Sequence, residues 1–392
     1  MIVKKMKLRN FRNYNLQTVA FSDNLNILYG DNAQGKTNIL EAVFLCSAGR
    51  SHRTLKDSEM IKFGEDVATV EIVTEKENFS ECRIEIKIQR TGRKSILING
   101  VPQRRAGDLL GRFYCVIFSP EDLSIIKDEP QIRRRFLDMF ISQIRPAYYF
   151  NLQSYLSALR QRNALLRQIK ENPGLLDTIG VWDLQLAEFG ARVMRERLFF
   201  IGQISENAKV NHARITSGSE DLSVLYEPSL KLYDVCAQED GDCEGWDENI
   251  KRRIDANIEK IFLNSLDRNL RTDIARMTTQ CGPHKDDIAC AIGGRNARLF
   301  GSQGQQRTAA LALKMAQVDV MSAETGETPV LLLDDVMSEL DRNRRDNIST
   351  NMKNAQIFIT GTEPYARGLS PTAEDLSEAM YFLVDNGQIS KD

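Results

Sequence analysis

The sequence predicts an α/β fold with a mixed sheet, interrupted by a helical insertion. A short apolar strand runs directly into a glycine-bounded loop and a helix at residues 26–43. A second apolar strand, at residues 329–333, ends in two carboxylates. Between these strands the apolar residues change from the alternation typical of strands to the spacing typical of helices. We therefore expect the two ends of the chain to form one α/β head, with a helical domain inserted between them.

The first thirty residues predict a strand, a turn and a second strand, at residues 6–9, 10–14 and 25–29. In the first strand the cations Lys5, Lys7 and Arg9 alternate with apolar residues, so one face of this strand is expected to be basic. An ordinary solvated edge strand is the alternative interpretation of this pattern.

Gly30, Gly35, Lys36 and Thr37 have the spacing of a phosphate-binding loop. The two glycines let the backbone turn so that successive N–H groups face a polyphosphate, with the positive end of the following helix behind them. Lys36 is expected to reach the β- and γ-phosphates of ATP, and the Thr37 hydroxyl to ligate Mg²⁺. A glycine turn followed by a surface lysine is the alternative. The residues between the glycines complete the predicted ATP-binding loop: Asp31, Asn32, Ala33 and Gln34.

The composition is that of a globular protein with two or three domains: 392 residues, 42% hydrophobic and 27% charged. No apolar run is long enough to span a bilayer, and the N-terminus lacks the apolar core of a signal peptide, so a cytoplasmic location is expected. The net charge of −2 excludes a chain that coats nucleic acid as a polycation. DNA binding would therefore require local basic patches.

The cysteines and histidines do not predict a metal site. The seven cysteines are scattered without a CxxC pair, which favours free buried thiols over a disulfide framework or a zinc site. His52, one of three histidines, has no second histidine or cysteine at ligand spacing. A solvated loop position is the preferred interpretation for His52.

After the loop helix, strands are predicted at residues 68–73, 82–89 and 95–98, the last followed by the turn signal Asn99-Gly100. The apolar run at residues 113–118 predicts a buried strand that ends at Ser119.

Helical spacing begins near Gln131. Two long amphipathic segments follow, and the break between them at residues 172–174 predicts a helical hairpin. The acidic, glycine-punctuated stretch at residues 238–245 predicts a solvated loop. The next segment predicts a helix whose polar face carries Lys251, Arg252 and Arg253.

Asp334 and Asp335 follow the second apolar strand, and they are the partner that a phosphate-binding loop requires. Asp334 is expected to hold Mg²⁺, directly or through water, and Asp335 to polarise the attacking water as the catalytic residue. An ordinary strand followed by an acidic turn is the alternative.

Ser302, Gly304 and Gln305 stand at the start of a predicted helix, in the sequence Phe-Gly-Ser-Gln-Gly-Gln-Gln-Arg. A hydroxyl, flexible backbone amides and a helix dipole would form a second anion-binding end that completes the ATP site. A plain helix cap is the alternative. The position just before the strand with two aspartates favours ATP binding.

These motifs resemble those of ABC-type ATPase heads. Residues 30–37, 302–306 and 331–341 are similar to the phosphate loop, the signature motif and the Mg²⁺ strand with its following loop at residues 338–341. Through further segments, the chain resembles the RecF family of bacterial recombination mediators over almost its whole length. These segments are residues 8–14, 118–123, 133–138 and 282–287.

The resemblance implies a head that dimerises on ATP, with the Ser302 loop of each subunit closing on the γ-phosphate held by the other. It also implies binding to DNA at gaps or single-strand/double-strand junctions, and cooperation with RecR and RecO in loading RecA during recombinational repair, replication and the SOS response. ABC-type ATPases generally have glutamate where this chain has Asp335, which implies slow hydrolysis. Their γ-phosphate-sensing glutamine is replaced here by residues 119–122.

The predicted domains are residues 1–130 and 276–392, the two parts of the ATPase head, and residues 131–275, the helical insertion. An SMC-like structural ATPase is one alternative, and the short predicted arm disfavours it. A P-loop phosphotransferase is another, but it would not explain the Ser302 loop.

Three basic clusters are candidates for contact with DNA, although a solvated face is the alternative for each. They are Lys4, Lys5 and Lys7; Arg104 and Arg105; and Arg133, Arg134 and Arg135.

Overall fold

The computed structural model describes residues 1–78, 80–232, 247–336, 354–364 and 379–392. Two segments discussed above lie outside the described residues: the acidic stretch at residues 238–245 and the loop at residues 338–341. Cys236 and Cys243 also lie outside them. The other five cysteines are free thiols, and four of these are buried.

The chain divides into two compact units. The first unit contains Met1–Leu123, Asn211–Ser219 and Ala310–Asp392, and the second contains Ser124–Val210 and Glu220–Ala309. Residues 276–309, grouped above with the C-terminal part of the head, lie in the second unit. The three-part division of the chain into functional domains stays a prediction.

The described ranges contain fifteen strands. They are β1 (Ile2–Phe11), β2 (Tyr14–Ala20), β3 (Leu25–Tyr29), β4 (Val67–Glu75), β5 (Glu81–Gln89), β6 (Ser95–Ile98), β7 (Val101–Pro102), β8 (Cys115–Phe118), β9 (Leu222–Glu227), β10 (Asp287–Ile292), β11 (Arg295–Asn296), β12 (Val330–Leu333), β13 (Ile357–Gly361), β14 (Met380–Asp385) and β15 (Gln388–Lys391).

The same ranges contain eight α-helices. They are α1 (Lys36–Ala48), α2 (Ser124–Lys127), α3 (Pro130–Ile144), α4 (Pro146–Glu171), α5 (Gly180–Ile215), α6 (Glu248–Arg276), α7 (Ala297–Phe300) and α8 (Gln303–Thr325). Among them, no helix is both long and apolar enough to cross a membrane.

The first unit contains two six-stranded sheets. One is antiparallel, in the order β2-β1-β4-β5-β6-β7. Along β4, alternate side chains such as Ala68, Val70 and Ile72 are buried, which explains the alternating pattern of its sequence. The other sheet is mixed, in the order β15-β14-β3-β13-β12-β8.

The mixed sheet is parallel except for β15, which pairs antiparallel with β14. All residues of β8 and β12 are buried. Strands covered on both faces have continuous apolar sequences, because neither face meets water. Helix α1 follows β3 and is buried from Ile39 to Ser47.

The second unit contains the long helices and a small sheet in the order β11-β10-β9. Helices α4, α5 and α6 share an apolar core that includes Tyr155, Leu186, Met194 and Phe262. The buried guanidinium of Arg162, on α4, forms ion pairs with α5 and α6. Its Nε lies 2.6 Å from Asp183 Oδ1, and its Nη1 lies 2.6 Å from Asp273 Oδ2.

The predicted fold class is confirmed: the chain has a mixed sheet with helices, and a helical hairpin in the middle of the sequence. The break at residues 172–174 begins a short 3₁₀ turn, Pro173–Thr178, between α4 and α5. Asn99 and Gly100, with φ of +51° and +78°, form the predicted turn between β6 and β7. Strand β2 is not predicted from the sequence, because it exposes Leu16 while burying Tyr14 and Val19.

Candidate functional site

The candidate site lies at one edge of the mixed sheet. Strands β3, β13, β12 and β8 are adjacent and parallel, so their carboxyl ends lie at the same edge. The predicted phosphate-binding loop follows β3, Asp334 and Asp335 follow β12, and Ser119 follows β8. Ligand sites of parallel α/β sheets lie at this edge.

Two glycines give the loop a shape that other residues would not adopt. Gly30 has φ of +140°, and a Cβ added there would lie 2.3 Å from the backbone oxygen of Val384. Gly35 has φ of +119°, and an added Cβ would lie 2.6 Å from Asn13 Nδ2. Both positions therefore require glycine, because neighbouring residues of the same chain approach closely and because the backbone has a positive φ.

Polar groups from distant parts of the first unit hold this loop from outside. Asn13 Nδ2 donates a hydrogen bond of 2.6 Å to the carbonyl of Gln34, and the Tyr14 hydroxyl donates one of 3.0 Å to the carbonyl of Gly35. The backbone N–H of Asn386, in the turn between β14 and β15, donates to Gln34 Oε1 at 2.7 Å. Asn13 and Tyr14 belong to one of the family motifs, whereas sequence reasoning missed Asn386, although Asn386-Gly387 is a hairpin turn signal like Asn99-Gly100.

Lys36 is the first residue of α1, directly after the left-handed Gly35. Its ammonium donates to the carbonyls of Gly30 and Asp31, at 2.6 and 2.7 Å, so the side chain lies over the loop. Burial lowers the pKa of Lys36, and the carboxylates of Asp335, Asp31 and Asp334 oppose this shift.

The first turn of α1 suits an anion. It contains no acidic residue, and among the described residues no side chain caps it. The backbone N–H groups of a helix start attract negative charge, and the helix dipole adds to this attraction. Together with the ammonium of Lys36, this arrangement fits the polyphosphate of ATP.

Asp334 lies next to Thr37 although 297 residues separate them in sequence. Thr37 Oγ1 donates to Asp334 Oδ1 at 2.8 Å, and Thr360 Oγ1 donates to the same oxygen at 2.9 Å. Burial raises the pKa of Asp334, and the hydrogen bonds from Thr37 and Thr360 oppose the rise. A hydroxyl and a carboxylate oxygen in contact are the ligand types that Mg²⁺ takes from this class of site, so these residues fit the metal.

Asp335 has a left-handed backbone, with φ of +55°, and its N–H donates to Thr360 Oγ1 at 2.9 Å. Thr360, at the end of β13, therefore contacts both aspartates that follow β12. Sequence reasoning missed Thr360. The signal available was its place at the end of an apolar strand, Ile357–Gly361, in the C-terminal part of the chain.

The segment after β8, residues 119–122, is held by a hydrogen bond between its first and last residues. The N–H of Ser119 donates to Asp122 Oδ2 at 2.8 Å, and the buried ammonium of Lys314 lies 3.9 Å from Asp122 Oδ1. Burial raises the pKa of Asp122, and burial lowers that of Lys314, while each charge opposes the shift of the other. The backbone N–H of Asp334 donates to the carbonyl of Phe118 at 2.8 Å, which joins this segment to the end of β12.

A cluster of polar side chains surrounds Glu41, which lies on α1 one turn beyond Thr37. The Glu41 carboxylate is buried and receives Arg12 Nη2 at 2.6 Å and the hydroxyl of Ser51. Burial alone would raise the pKa of Glu41, but the hydrogen bonds from Arg12 and Ser51 hold it below its usual value. Arg53 Nη1 donates to Asn38 Oδ1 at 3.0 Å. Sequence reasoning missed this group.

The expectation that His52 is solvated is wrong. Its ring packs edge-on against Phe44, with centroids 5.3 Å apart, and both ring nitrogens are buried with no hydrogen-bond partner among the described residues. Burial lowers the pKa of His52 to about 4, so the ring is neutral at pH 7. A loop position does not imply exposure when the loop folds against a helix.

The residues of the predicted signature motif lie in the second unit, where they form a helix cap. The N–H of Ser302 donates to Gln305 Oε1 at 2.8 Å, and the N–H of Gln305 donates to Ser302 Oγ at 3.2 Å. Gln305 Nε2 also donates to Glu220 Oε1 at 2.8 Å. Ser302 is exposed at the start of α8, and Gly304 lies in its first turn. ATP binding by these residues stays a prediction.

The basic clusters differ in exposure. Lys5 and Lys7 are exposed on β1, while Lys4 forms an ion pair with Asp23, with 2.8 Å between Nζ and Oδ2. Arg104 and Arg105 are exposed. Arg133 is wrong as a DNA candidate, because its buried guanidinium lies 2.7 Å from Asp287 Oδ1 and also donates to the carbonyl of Asp128.

Comparison with known proteins gives concordant matches. The family model described as RecF/RecN/SMC N terminal domain matches residues 2–368. The DNA replication and repair protein RecF of Acetivibrio thermocellus is 44% identical over 365 residues, which are 93% of this chain and 94% of that protein. The DNA replication and repair protein RecF of Alkaliphilus oremlandii is 42% identical over 391 residues, which are 99% of this chain and 100% of that protein.

Solved structures match over the same length. A structure described as the recombination mediator protein RecF-ATP in the RecFOR pathway is 37% identical, with a TM-score of 0.87, and the match covers 100% of this chain and 97% of that one. The Smc head domain of Pyrococcus furiosus is 15% identical, with a TM-score of 0.53, over 100% of this chain and 96% of that one. The Smc match shows a shared head fold.

Proposed function

Because this chain belongs to the RecF family, within the RecF/RecN/SMC N-terminal domain family, we propose that it is an ATP-dependent DNA-binding protein of replication and recombinational repair. Its ATP site consists of the loop from Gly30 to Thr37 together with Asp334 and Asp335. DNA binding follows from ATP binding, and slow hydrolysis ends the bound state.

The observation that carries this proposal is the contact between Thr37 and Asp334, at 2.8 Å, beside the ammonium of Lys36. Two motifs almost 300 residues apart in sequence meet at one sheet edge. Mg²⁺ would be held by Thr37 and Asp334, and it would neutralise the charge that develops on the phosphates.

Each residue of the site has a separate task in this proposal. The backbone amides of residues 31–35 and the Lys36 ammonium bind the phosphates. Asp335 accepts a proton from the attacking water, and Thr360 fixes the backbone that carries Asp335. Aspartate is one methylene shorter than the glutamate of general ABC-type ATPases, which supports slow turnover and use of ATP as a switch.

The switch acts through dimerisation. In the dimer, Ser302, Gly304 and Gln305 of one subunit contact the γ-phosphate held by the other. The exposed position of Ser302 at a helix start supports this role, because the positive end of the helix dipole there attracts an anion.

The wider role proposed here is mediation of recombination at gapped or junction DNA. The chain would cooperate with RecR and RecO in loading RecA, and it would act in the SOS response in the cytoplasm. The support is the family membership, together with a full-length match to a recombination mediator of the RecFOR pathway.

Replacement of Lys36 by methionine tests the site. The variant Lys36→Met should weaken ATP binding roughly 100-fold or more, because it removes charge-assisted hydrogen bonds to the β- and γ-phosphates. Isothermal titration of ATP with Mg²⁺ measures the affinity. Lys56→Met, which removes an exposed lysine elsewhere in the first unit, is the matched control and should bind as the parent does. Equal affinity in all three proteins would overturn the phosphate-loop assignment.

The DNA half of the proposal has its own test. Affinity for gapped duplex should exceed that for blunt duplex, and ATP should increase it in the parent but not in Lys36→Met. If ATP changes neither the affinity nor the preference, the chain is not an ATP-dependent DNA-binding protein.

A further inference from the structure

Helix α6 presents two chemically different faces. On one face, Ile254, Ile258, Phe262 and Leu266 are buried in the core of the second unit. At 3.6 residues per turn, six polar residues away from this face lie in one row along the helix, within an arc of about 80°. This row is exposed and carries Arg253, Asn257, Lys260, Asn264, Arg268 and Arg271. We call these six residues the α6 row.

The α6 row contains four cationic side chains and two asparagines, and all six can donate hydrogen bonds. Within this fully described helix, no carboxylate lies in the same arc, and Asp267 lies about 20° outside it. The row also lacks aromatic side chains. From Arg253 to Arg271 it spans about 27 Å, at 1.5 Å per residue.

Helix α4 packs against α6 and also carries exposed cations. The rings of Tyr155 and Phe262 are 6.5 Å apart, and Arg162 of α4 binds Asp273 of α6, so the two helices pack together. The sequence of α4 contains no Asp or Glu before its last residue, although the chain has 54 such residues in 392. Its exposed cations are Arg160, Arg167 and Lys170.

A solvated helix face would have a different pattern. Exposed faces usually mix charges of both signs, because opposite charges three or four residues apart stabilise a helix and like charges destabilise it. Arg268 and Arg271 are three residues apart with like charge, and Asp267, four residues before Arg271, is the one carboxylate at helical pairing distance from a cation of the row. The row is therefore arranged for an external anion rather than for the helix itself.

We propose that the α6 row, with the exposed cations of α4, binds the phosphate backbone of duplex DNA. Duplex DNA carries one charge per 1.7 Å of axis, so the row matches the length of about eight base pairs. Arginine, lysine and asparagine all donate to phosphate oxygens, and the lack of aromatic side chains excludes base stacking at this row. The inference rests on the proposed function of DNA binding and assigns it a surface beyond the three basic clusters.

The test neutralises three cations of the row in one variant, Lys260→Gln, Arg268→Gln and Arg271→Gln. Glutamine retains helix propensity, and the three side chains are exposed, so the fold should be unchanged. Fluorescence anisotropy of a labelled gapped duplex is measured with ATP at several NaCl concentrations. The magnitude of the slope of log K against log salt should fall by about 3, and affinity at 0.1 M NaCl should fall at least about 10-fold. Duplexes of unrelated sequence should lose affinity by the same factor.

A matched control removes the same charge from exposed positions of the first unit, Lys87→Gln, Arg93→Gln and Lys391→Gln. This control should change the affinity by less than about twofold. The opposite change, Asp267→Asn, should tighten DNA binding about two- to threefold, because it removes a carboxylate beside the row.

The outcomes separate this inference from the function on which it rests. If the parent binds DNA and the α6 variant matches it or the control, the surface is wrong and the DNA-binding function stands. A loss of affinity without a change in slope also overturns the surface, because no phosphate contact has then been removed. If the parent binds no DNA with or without ATP, the proposed function fails, and this inference fails with it.

Discussion

At the scale of single residues, Asp335 differs from Asp334 in what surrounds it. Asp334 accepts hydrogen bonds from Thr37 and Thr360 and is buried, whereas the backbone of Asp335 is held in a left-handed conformation by Thr360. We therefore expect Asp334 to bind the metal and Asp335 to act on the attacking water.

Asp335→Asn should leave ATP and Mg²⁺ binding intact and slow hydrolysis by roughly 10²- to 10⁴-fold, because an amide cannot accept the proton. The ATP-bound dimer should then persist. Phosphate release under single-turnover conditions measures the rate. Hydrolysis at the parental rate would show that Asp335 is not the base.

The buried ring of His52 makes a second prediction at this scale. Its pKa in the folded chain is about 4, below the 6.5 of an exposed histidine, so the unfolded chain takes up a proton first as the pH falls. The stability that depends on neutral His52 is therefore complete above pH 6.5 and is lost as the pH falls towards 4.

His52→Phe keeps an aromatic ring beside Phe44 and removes this titration. The urea midpoint of the variant should fall less than that of the parent between pH 7 and pH 5. His284 has a pKa of about 4 for the same reason, burial, and His284→Phe serves as a comparison in the second unit. Parallel curves for parent and His52→Phe would mean that the ring is hydrated in solution.

At the scale of elements, the site depends on the end of β13 as much as on the phosphate loop and the two aspartates after β12, which the sequence predicts. Thr360 lies between β3 and β12 in the sheet order and contacts both aspartates. The phosphate loop was predictable because its glycines and lysine have a fixed spacing. Thr360 was not, because a threonine at a strand end has no distinctive spacing.

Thr360→Val preserves the shape of the side chain and removes its hydroxyl. It leaves the N–H of Asp335 without this acceptor and weakens the placement of Asp334, so stability should fall by about 1–3 kcal/mol. ATP affinity should fall more in the presence of Mg²⁺ than in its absence. Urea denaturation and nucleotide titration with and without Mg²⁺ measure the two effects. An equal loss with and without the metal would place Thr360 outside the metal site.

The middle of the chain shows the same limit on prediction from sequence. The α4–α5 hairpin was predictable because apolar residues recur at helical spacing and Pro173 breaks it. The partners of the buried Arg162 were not, because Asp183 and Asp273 lie on two other helices, 21 and 111 residues away in sequence. Arg133 failed as a surface cation for the same reason, since Asp287 is 154 residues away.

At the scale of the whole molecule, the central question is whether two copies share the ATP. Lys36, Thr37, Asp334 and Asp335 meet in the first unit, whereas Ser302 is exposed on the second. Ser302→Arg should leave ATP binding to the monomer unchanged and block dimerisation, because a bulky side chain occupies the place of the γ-phosphate contact. DNA binding that needs the dimer should fall with it.

Sedimentation velocity with ATP and Mg²⁺ measures the dimer. Because Ser302 Oγ also accepts a hydrogen bond from the N–H of Gln305, Ser302→Asp keeps a cap acceptor and serves as a control for the helix start. Negative charge should repel the γ-phosphate, so this control should also fail to dimerise while α8 stays folded. A Ser302→Arg protein that still dimerises would refute the shared site.

The order of strands in the mixed sheet also governs how the chain acquires its activity during synthesis. Strand β3, which leads into the phosphate loop, pairs with β13 and β14, and both leave the ribosome more than 300 residues after it. At 5–20 residues per second, β3 waits roughly 15 to 65 seconds for its neighbours. The helical second unit is complete in sequence well before then. Nascent chains should therefore bury their helices first and gain a nucleotide pocket only after β13 and β14 have been synthesised, and in the interval chaperones would shield β3.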